Sequence, residues 1–139
     1  MLNFIKKLFD SPKEESQMDN LDDETLINLV KIHLRAKEFS FVKGPKIYRI
    51  SSSTAVFART HKKYAHDECG DRMYFLGDNV DILYKTNNGN YFNISADVRS
   101  GKVDAIMTSV FTIEKARNYL ISFGEYDKCE ELFGKFEEA

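Results

Sequence analysis

The chain has 139 residues, of which 42% are apolar and 30% charged, and its net charge is −2. The length suffices for one hydrophobic core, and this composition excludes a disordered chain and a general polycation or polyanion. Two cysteines, Cys69 and Cys129, are too few for a disulfide scaffold and indicate a reducing compartment. We therefore expect a cytoplasmic protein.

Residues 1–18 are predicted to form a short amphipathic helix followed by a polar linker. In residues 1–9 the apolar side chains share one helical face, with Lys6 and Lys7 opposite. Docking on the domain, or fraying, is favoured over a membrane-surface or partner-docking helix, because so short a segment with two lysines has little membrane affinity. The lysines follow the apolar residues, so the segment does not fit a secretory signal, and no apolar run is long enough for a transmembrane segment. Residues 19–139 are predicted to form a single domain.

This domain opens with a helix that continues to about Lys37. Asn20 or Asp19 can cap it, and acidic residues follow in the first turn, where the helix dipole favours negative charge. The residues at helical spacing that define its buried face are Leu26, Leu29, Val30, His33 and Leu34.

After Gly44-Pro45 the pattern changes to the alternation of strands. Six segments are rich in β-branched and aromatic residues, namely 46–50, 54–60, 72–76, 80–86, 90–96 and 103–109. Asn88-Gly89 provides the positive φ angles of a tight hairpin turn, and Ser100-Gly101 marks a second turn. The pattern predicts an antiparallel meander of about five or six strands.

A C-terminal helix or helix pair packed on one face of the sheet completes the predicted α+β fold. Thr112 is the expected N-cap, and Gly124 interrupts the helical pattern. The first apolar stripe comprises Ile113, Ala116, Leu120 and Phe123, and the second comprises Tyr126, Cys129, Leu132, Phe133 and Phe136.

Residues 80–139 resemble small bacterial and phage accessory proteins. The resemblance lies in the run LYKTNNGNYF, in the helix start at residues 112–116, and in an acidic tail that contains Phe133-Gly134. It implies a small α+β module from a mobile or accessory gene, and it carries no catalytic residues over to this chain.

Charge is unevenly distributed along the sequence. Residues 31–63 contain nine basic residues against the single acid Glu38, a net charge of +8. Such a block predicts a basic face for an acidic protein surface or for a phosphate backbone. In the alternative interpretation, these strands pair with acidic strands and become neutral. The candidate binding residues are Lys31, Arg35, Lys37, Lys43, Lys46, Arg49, Arg59, Lys62 and Lys63.

Three side chains that can bind zinc fall within nine residues: His61, His66 and Cys69, with Cys129 as a conceivable fourth ligand. Their spacing departs from that of structural zinc sites, so we predict a polar loop without a metal or another cofactor. Cys69 could also act as a nucleophile beside one of these histidines, but no family signature surrounds it. The sequence therefore favours a non-catalytic protein.

The leading hypothesis is a protein-binding module of the immunity, toxin-neutralising or host-defence-inhibitor type, with a partner that has an acidic surface. The alternative is a nucleic-acid-binding accessory protein that uses residues 31–63. A third hypothesis, a hydrolase based on Cys69, is disfavoured. A homodimer through an exposed edge strand is compatible with each of them.

Overall fold

The computed structural model describes residues 21–70 and 72–139; the amphipathic segment predicted at 1–9 and its linker lie outside them. The α+β prediction is confirmed, with one helix, antiparallel strands, and two C-terminal helices packed on the sheet. The helices are α1 (Asp23–Ala36), α2 (Ile113–Ser122) and α3 (Tyr126–Phe133). The strands are β1 (Ser40–Lys43), β2 (Lys46–Arg49), β3 (Ser53–His66), β4 (Met73–Thr86), β5 (Tyr91–Arg99) and β6 (Lys102–Phe111).

Helix α1 begins slightly later than the sequence suggested. Asp22, rather than Asn20 or Asp19, is the N-cap, and its Oδ1 accepts a hydrogen bond from the Thr25 backbone N–H at 2.7 Å. Asp19, Asn20, Asp22 and Asp23 are all of the residue types that cap helices, and local pattern alone does not decide which of them takes the extended cap conformation. The predicted apolar face is buried at Leu26, Val30 and Leu34.

Two features of the strands differ from the prediction. Strand β1 was not predicted; it pairs with β2 in a separate two-stranded hairpin that turns at Gly44-Pro45. The predicted segments 72–76 and 80–86 belong to one strand, β4. The strand continues through Gly77, where its pairing with β3 shifts register. The polar residues at 77–79 resemble a turn in sequence but lie within the ladder.

The main sheet is antiparallel, with strand order β3-β4-β5-β6. At the Asn88-Gly89 turn, the Thr86 backbone N–H donates to the Asn90 carbonyl at 2.8 Å, and Gly89 has a φ of 81°. This is a three-residue loop that ends in a left-handed glycine. At the other predicted turn, Ser100 and Gly101 both have positive φ between the paired residues Arg99 and Lys102, which defines a two-residue turn.

Each face of the sheet supports its own hydrophobic cluster. The cluster beneath α1, which we call the N-terminal core, includes Leu26, Val30, Leu34, Ile82, Phe92 and Ile94. The cluster beneath α2 and α3, the C-terminal core, consists of Leu83, Tyr91, Phe111, Ala116, Leu120 and Cys129. Successive strand residues point to opposite faces, so the neighbours Ile82 and Leu83 belong to different cores.

The β1–β2 hairpin is attached to the N-terminal core by aromatic rings. Phe41 and Tyr48 stack with ring centroids 5.0 Å apart, and each meets the Phe92 ring edge-on, at 5.4 and 5.7 Å. Tyr84 stacks on Phe92 at 5.1 Å. These contacts bury one face of the hairpin and leave its other face outward.

The C-terminal helices bury less of their predicted stripes than expected. Thr112 caps α2 as predicted, accepting from the Lys115 backbone N–H at 3.0 Å, but Ile113 is 60% exposed and Phe123 40% exposed. Ala116 and Leu120 define the buried line, whereas Ile113 is the first residue of the helix and Phe123 lies beyond the last helical residue. In the second stripe Cys129 is buried, whereas Tyr126 and Phe136 are exposed.

Candidate functional site

The nine basic residues of segment 31–63 divide into two groups. The three on β3 face acids of neighbouring strands: Arg59 with Asp81 at 3.3 Å, Lys62 with Asp78 at 3.2 Å, and Lys63 with Asp97 at 3.2 Å. Antiparallel pairing of β3 with β4 places the first two pairs directly opposite each other. Pairing of basic and acidic strands, the alternative interpretation, therefore describes this part of the block.

The third of these pairs spans an intervening strand. Lys63 lies opposite Gly77 in the ladder, and Gly77 has no side chain to obstruct the path from Lys63 to Asp97 on β5. Arg59 makes a second contact, because its guanidinium lies 4.2 Å from the centre of the Phe123 ring. Such a cation–π contact is favourable and accounts for the position of this partly exposed ring at the end of α2.

Two of these acids, Asp81 and Asp97, line a polar cleft on the part of the sheet that α2 and α3 leave open. The cleft has a volume of about 320 Å³, and His61, Lys63, Asn79, Ser95, Asp97 and Met107 are among its lining residues. The Asn79 Nδ2 group donates to Ser95 Oγ and to Asp97 Oδ1, both at 3.0 Å. The hydrogen bond from Asn79 is the largest cause of the lowered Asp97 pKa. Lys63 lowers this pKa further, whereas burial of the carboxyl group raises it.

Among residues 21–70 and 72–139, two buried polar atoms on the helix-covered side of the sheet have no hydrogen-bond partner: Asn93 Oδ1 and the Tyr119 hydroxyl. Burial raises the pKa of Tyr119 to about 12; the nearby Asp81 charge adds to the shift, and Arg59 opposes it. The hydroxyl therefore remains protonated at neutral pH. The polar groups of the cleft itself bind mainly one another, as expected of a network that stabilises the fold.

The other six basic residues lie on α1 and on the β1–β2 hairpin: Lys31, Arg35, Lys37, Lys43, Lys46 and Arg49. Within residues 21–70 and 72–139 none of these six forms an ion pair. Lys31 is half-buried and the others are exposed. Arg35 and Arg49 line a common cavity of about 350 Å³, together with Glu38. Six basic residues without an ion pair in the described ranges are therefore grouped on α1, its C-cap and the hairpin.

The hairpin presents both charge and apolar surface. Lys43 lies directly opposite Lys46 at its tip, and Val42 lies opposite Ile47 on the outward side. Val42 is 68% exposed and Ile47 48% exposed. Like charges opposite each other destabilise an antiparallel pair, so this arrangement is unfavourable in the isolated chain. Because successive strand residues alternate in direction, Lys43 and Lys46 project to the face that carries Phe41 and Tyr48, whereas the other exposed residues project outward. We call the exposed residues that surround the tip the hairpin surface: Val42, Lys43, Lys46, Ile47 and Arg49.

Sequence reasoning identified the lysines of this surface but not its apolar pair. A signal was present, because Val42 and Ile47 flank the turn residues Gly44-Pro45 at equal distances from the tip. Segment 40–43 has only four residues, and its alternation is too short to indicate a strand without knowledge of its partner.

The residues considered for zinc do not form one group. His61 and His66 lie on β3, Cys69 is exposed in the turn that follows, and Cys129 is buried in the C-terminal core. Over the described part of the chain, no three His, Cys, Asp or Glu side chains are close enough together to hold a metal ion. Among the same residues, no helix is both long and apolar enough to cross a membrane.

Comparison with protein families, with curated proteins and with solved structures finds no match.

Proposed function

We propose that this protein is a non-catalytic binding module whose hairpin surface binds an acidic protein partner. The observation that carries the proposal is the hairpin itself: the Lys43–Lys46 pair closes its turn, and the exposed Val42–Ile47 pair follows on the opposite face, so a partner that encloses the tip contacts both pairs. An acidic partner would relieve the repulsion between the two lysines, and an apolar contact would cover the two aliphatic side chains.

Charge and apolar area have different roles in such an interface. The unpaired lysines and arginines would steer an acidic partner towards the hairpin and raise the association rate. Val42 and Ile47 would provide desolvated contact area once the partner is in place. This combination favours a folded protein as the partner over a nucleic acid, because two exposed aliphatic side chains contribute little affinity for a phosphate backbone.

The resemblance of residues 80–139 suggests the biological class. We assign the protein to an accessory system of bacterial or phage type, in the role of an immunity, toxin-neutralising or host-defence-inhibitor protein. Such proteins act by surface complementarity, and their function requires no catalytic group.

The test is quantitative capture from an extract of the native host at physiological salt. Wild-type protein is compared with the variant Lys43→Glu/Lys46→Glu and with the apolar variant Val42→Asp/Ile47→Asp. The matched control Lys102→Glu/Lys135→Glu makes the same change in net charge at exposed sites elsewhere. We expect a partner that both hairpin variants lose and the control retains. A partner set that is identical for all four proteins would contradict the proposal.

Nucleic-acid binding is the second candidate, and the six basic residues without ion pairs favour it. If the partner is a phosphate backbone, affinity for duplex DNA or single-stranded RNA falls by orders of magnitude between low and physiological salt. It also falls in Lys43→Glu/Lys46→Glu but is unchanged in an uncharged Val42→Ser/Ile47→Ser variant. Loss of binding in both variants would instead indicate the protein interface.

A further inference from the structure

The two edges of the main sheet differ in chemistry. The sheet order leaves β3 at one edge and β6 at the other, and no described residue pairs with the outer side of either strand. An edge strand exposes unpaired backbone N–H and C=O groups, and proteins protect such edges with charges, bulges or covering segments. Strand β3 has these protections along its length, whereas β6 has them only at its start, where Lys102 and Asp104 are charged and the register shifts at Asp104.

Strand β3 is protected in two ways. Its pairing with β4 is irregular at Ala55/Phe57 and again at Lys63/Tyr64, and such bulges twist a strand away from a flat neighbour. It also carries Arg59, Lys62 and Lys63 close together, and lysine on an edge strand opposes pairing with another chain.

Strand β6 has a long segment without such protection. Residues 105–111 contain no charged residue, no glycine and no proline, and they have high β-propensity. Met107, at the middle of the strand, is 72% exposed, more than any other large apolar side chain of the described chain. Helices α1 and α2 contact β6 from the two faces of the sheet and leave its edge open.

We infer that the β6 edge pairs with β6 of a second copy of this chain, so that two four-stranded sheets join into one of eight strands. A twofold axis perpendicular to the sheet makes the two strands antiparallel and keeps each core on its own face of the joined sheet.

The charges of β6 fit this symmetry. When the axis passes close to Ile106 or Met107, each copy of Lys102 and Asp104 faces uncharged residues of the partner strand. No like charges then oppose each other along the shared ladder. The same segment, uncharged and apolar at its centre, is self-complementary, which a C2 interface requires.

Sedimentation velocity over a concentration series tests the pairing. We expect the full chain, of 16.1 kDa, to sediment as a species of twice that mass at high concentration. Met107→Lys should shift it to the monomer, because two lysines then meet near the axis. The control Val42→Lys changes a side chain of similar exposure outside β6 and should leave the dimer intact.

A cysteine cross-link provides a test that does not depend on disrupting the strand. In a Cys69→Ser background, Met107→Cys should form an intermolecular disulfide on mild oxidation, whereas Val42→Cys should not. A monomer at every concentration, or a dimer that Met107→Lys leaves unchanged, would overturn the inference. The inference is independent of the proposed partner, since Met107→Lys leaves the hairpin surface intact.

Discussion

Asn79 and Asp97 lie opposite each other in the β4–β5 ladder, and the Asn79 amide donates to the Asp97 carboxylate at 3.0 Å. Asn79 is 8% exposed, so this hydrogen bond forms largely out of contact with water. Both residues line the polar cleft, and Asp97 also forms the ion pair with Lys63.

The first prediction concerns the pKa of Asp97. Asn79→Ala and Lys63→Ala should each raise it towards the ordinary value of 3.8, because the Asn79 hydrogen bond is the largest single cause and Lys63 acts through both a hydrogen bond and its charge. A pKa that is lowered in the folded state contributes stability above the unfolded-state pKa, and this stability is lost as the pH falls through the folded-state value. Carboxyl NMR titration of both variants measures the shifts. An Asp97 pKa that Asn79→Ala leaves unchanged would contradict the assignment.

The second prediction concerns two glycines with positive φ. In Gly77→Ala the new Cβ would lie 2.7 Å from the Val98 carbonyl oxygen, at a φ of 130°. In Gly89→Ala the new Cβ meets no atom within 4 Å, so only backbone strain opposes the change. We expect a loss of about 3 kcal/mol or more for Gly77→Ala and about 1–2 kcal/mol for Gly89→Ala. Urea unfolding at neutral pH measures both; equal losses would show that the strand relaxes around residue 77.

The third prediction concerns the attachment of the β1–β2 hairpin. Phe41→Ala removes the ring that contacts both Tyr48 and Phe92, so the hairpin should open more often while the main sheet remains closed. Amide hydrogen exchange should become faster in β1 and β2 and change little in β4 and β5. Phe136→Ala, at a ring that is 37% exposed, is the control and should leave the hairpin amides unchanged.

The fourth prediction concerns alkaline pH. Burial raises the pKa of both Tyr84 and Tyr119 to about 12, above the ordinary value of 10.0. Between these values the unfolded chain releases protons that the folded chain retains, so the free energy of unfolding should fall as the pH rises above 10. Tyrosinate absorbance should show Tyr84 and Tyr119 titrating late, together with Tyr91, whose pKa burial also raises. Tyr119→Phe should remove one late-titrating group and flatten the loss of stability. An unchanged absorbance titration in Tyr119→Phe would refute the assignment.

Local signals in the sequence predicted much of this fold. Asn88-Gly89, Ser100-Gly101 and Thr112 mark turns and a cap because the required backbone geometry suits only a few residue types. Strand β4 was divided in two because Gly77 and the polar residues after it resemble a loop. Only pairing with β3 on one side and β5 on the other keeps them in a strand, and that pairing is tertiary information.

The candidate site was only partly predictable, for a related reason. The block of basic residues is visible in the sequence, but its division depends on register. Arg59 and Asp81 are 22 residues apart, and only the β3–β4 ladder brings them together. The six basic residues without ion pairs could not be separated from the other three until the neighbouring strands were known.

The bulged, lysine-bearing β3 edge limits how far strands can add to this sheet. If both edges accepted a strand, each added copy would offer a new edge, and the chain would polymerise into a fibre. Because β3 opposes pairing, the main sheet of each copy can pair only through its β6 edge, and the β6–β6 contact occupies that edge in both copies. Growth therefore ends at two subunits, and a finite assembly forms instead of an aggregate.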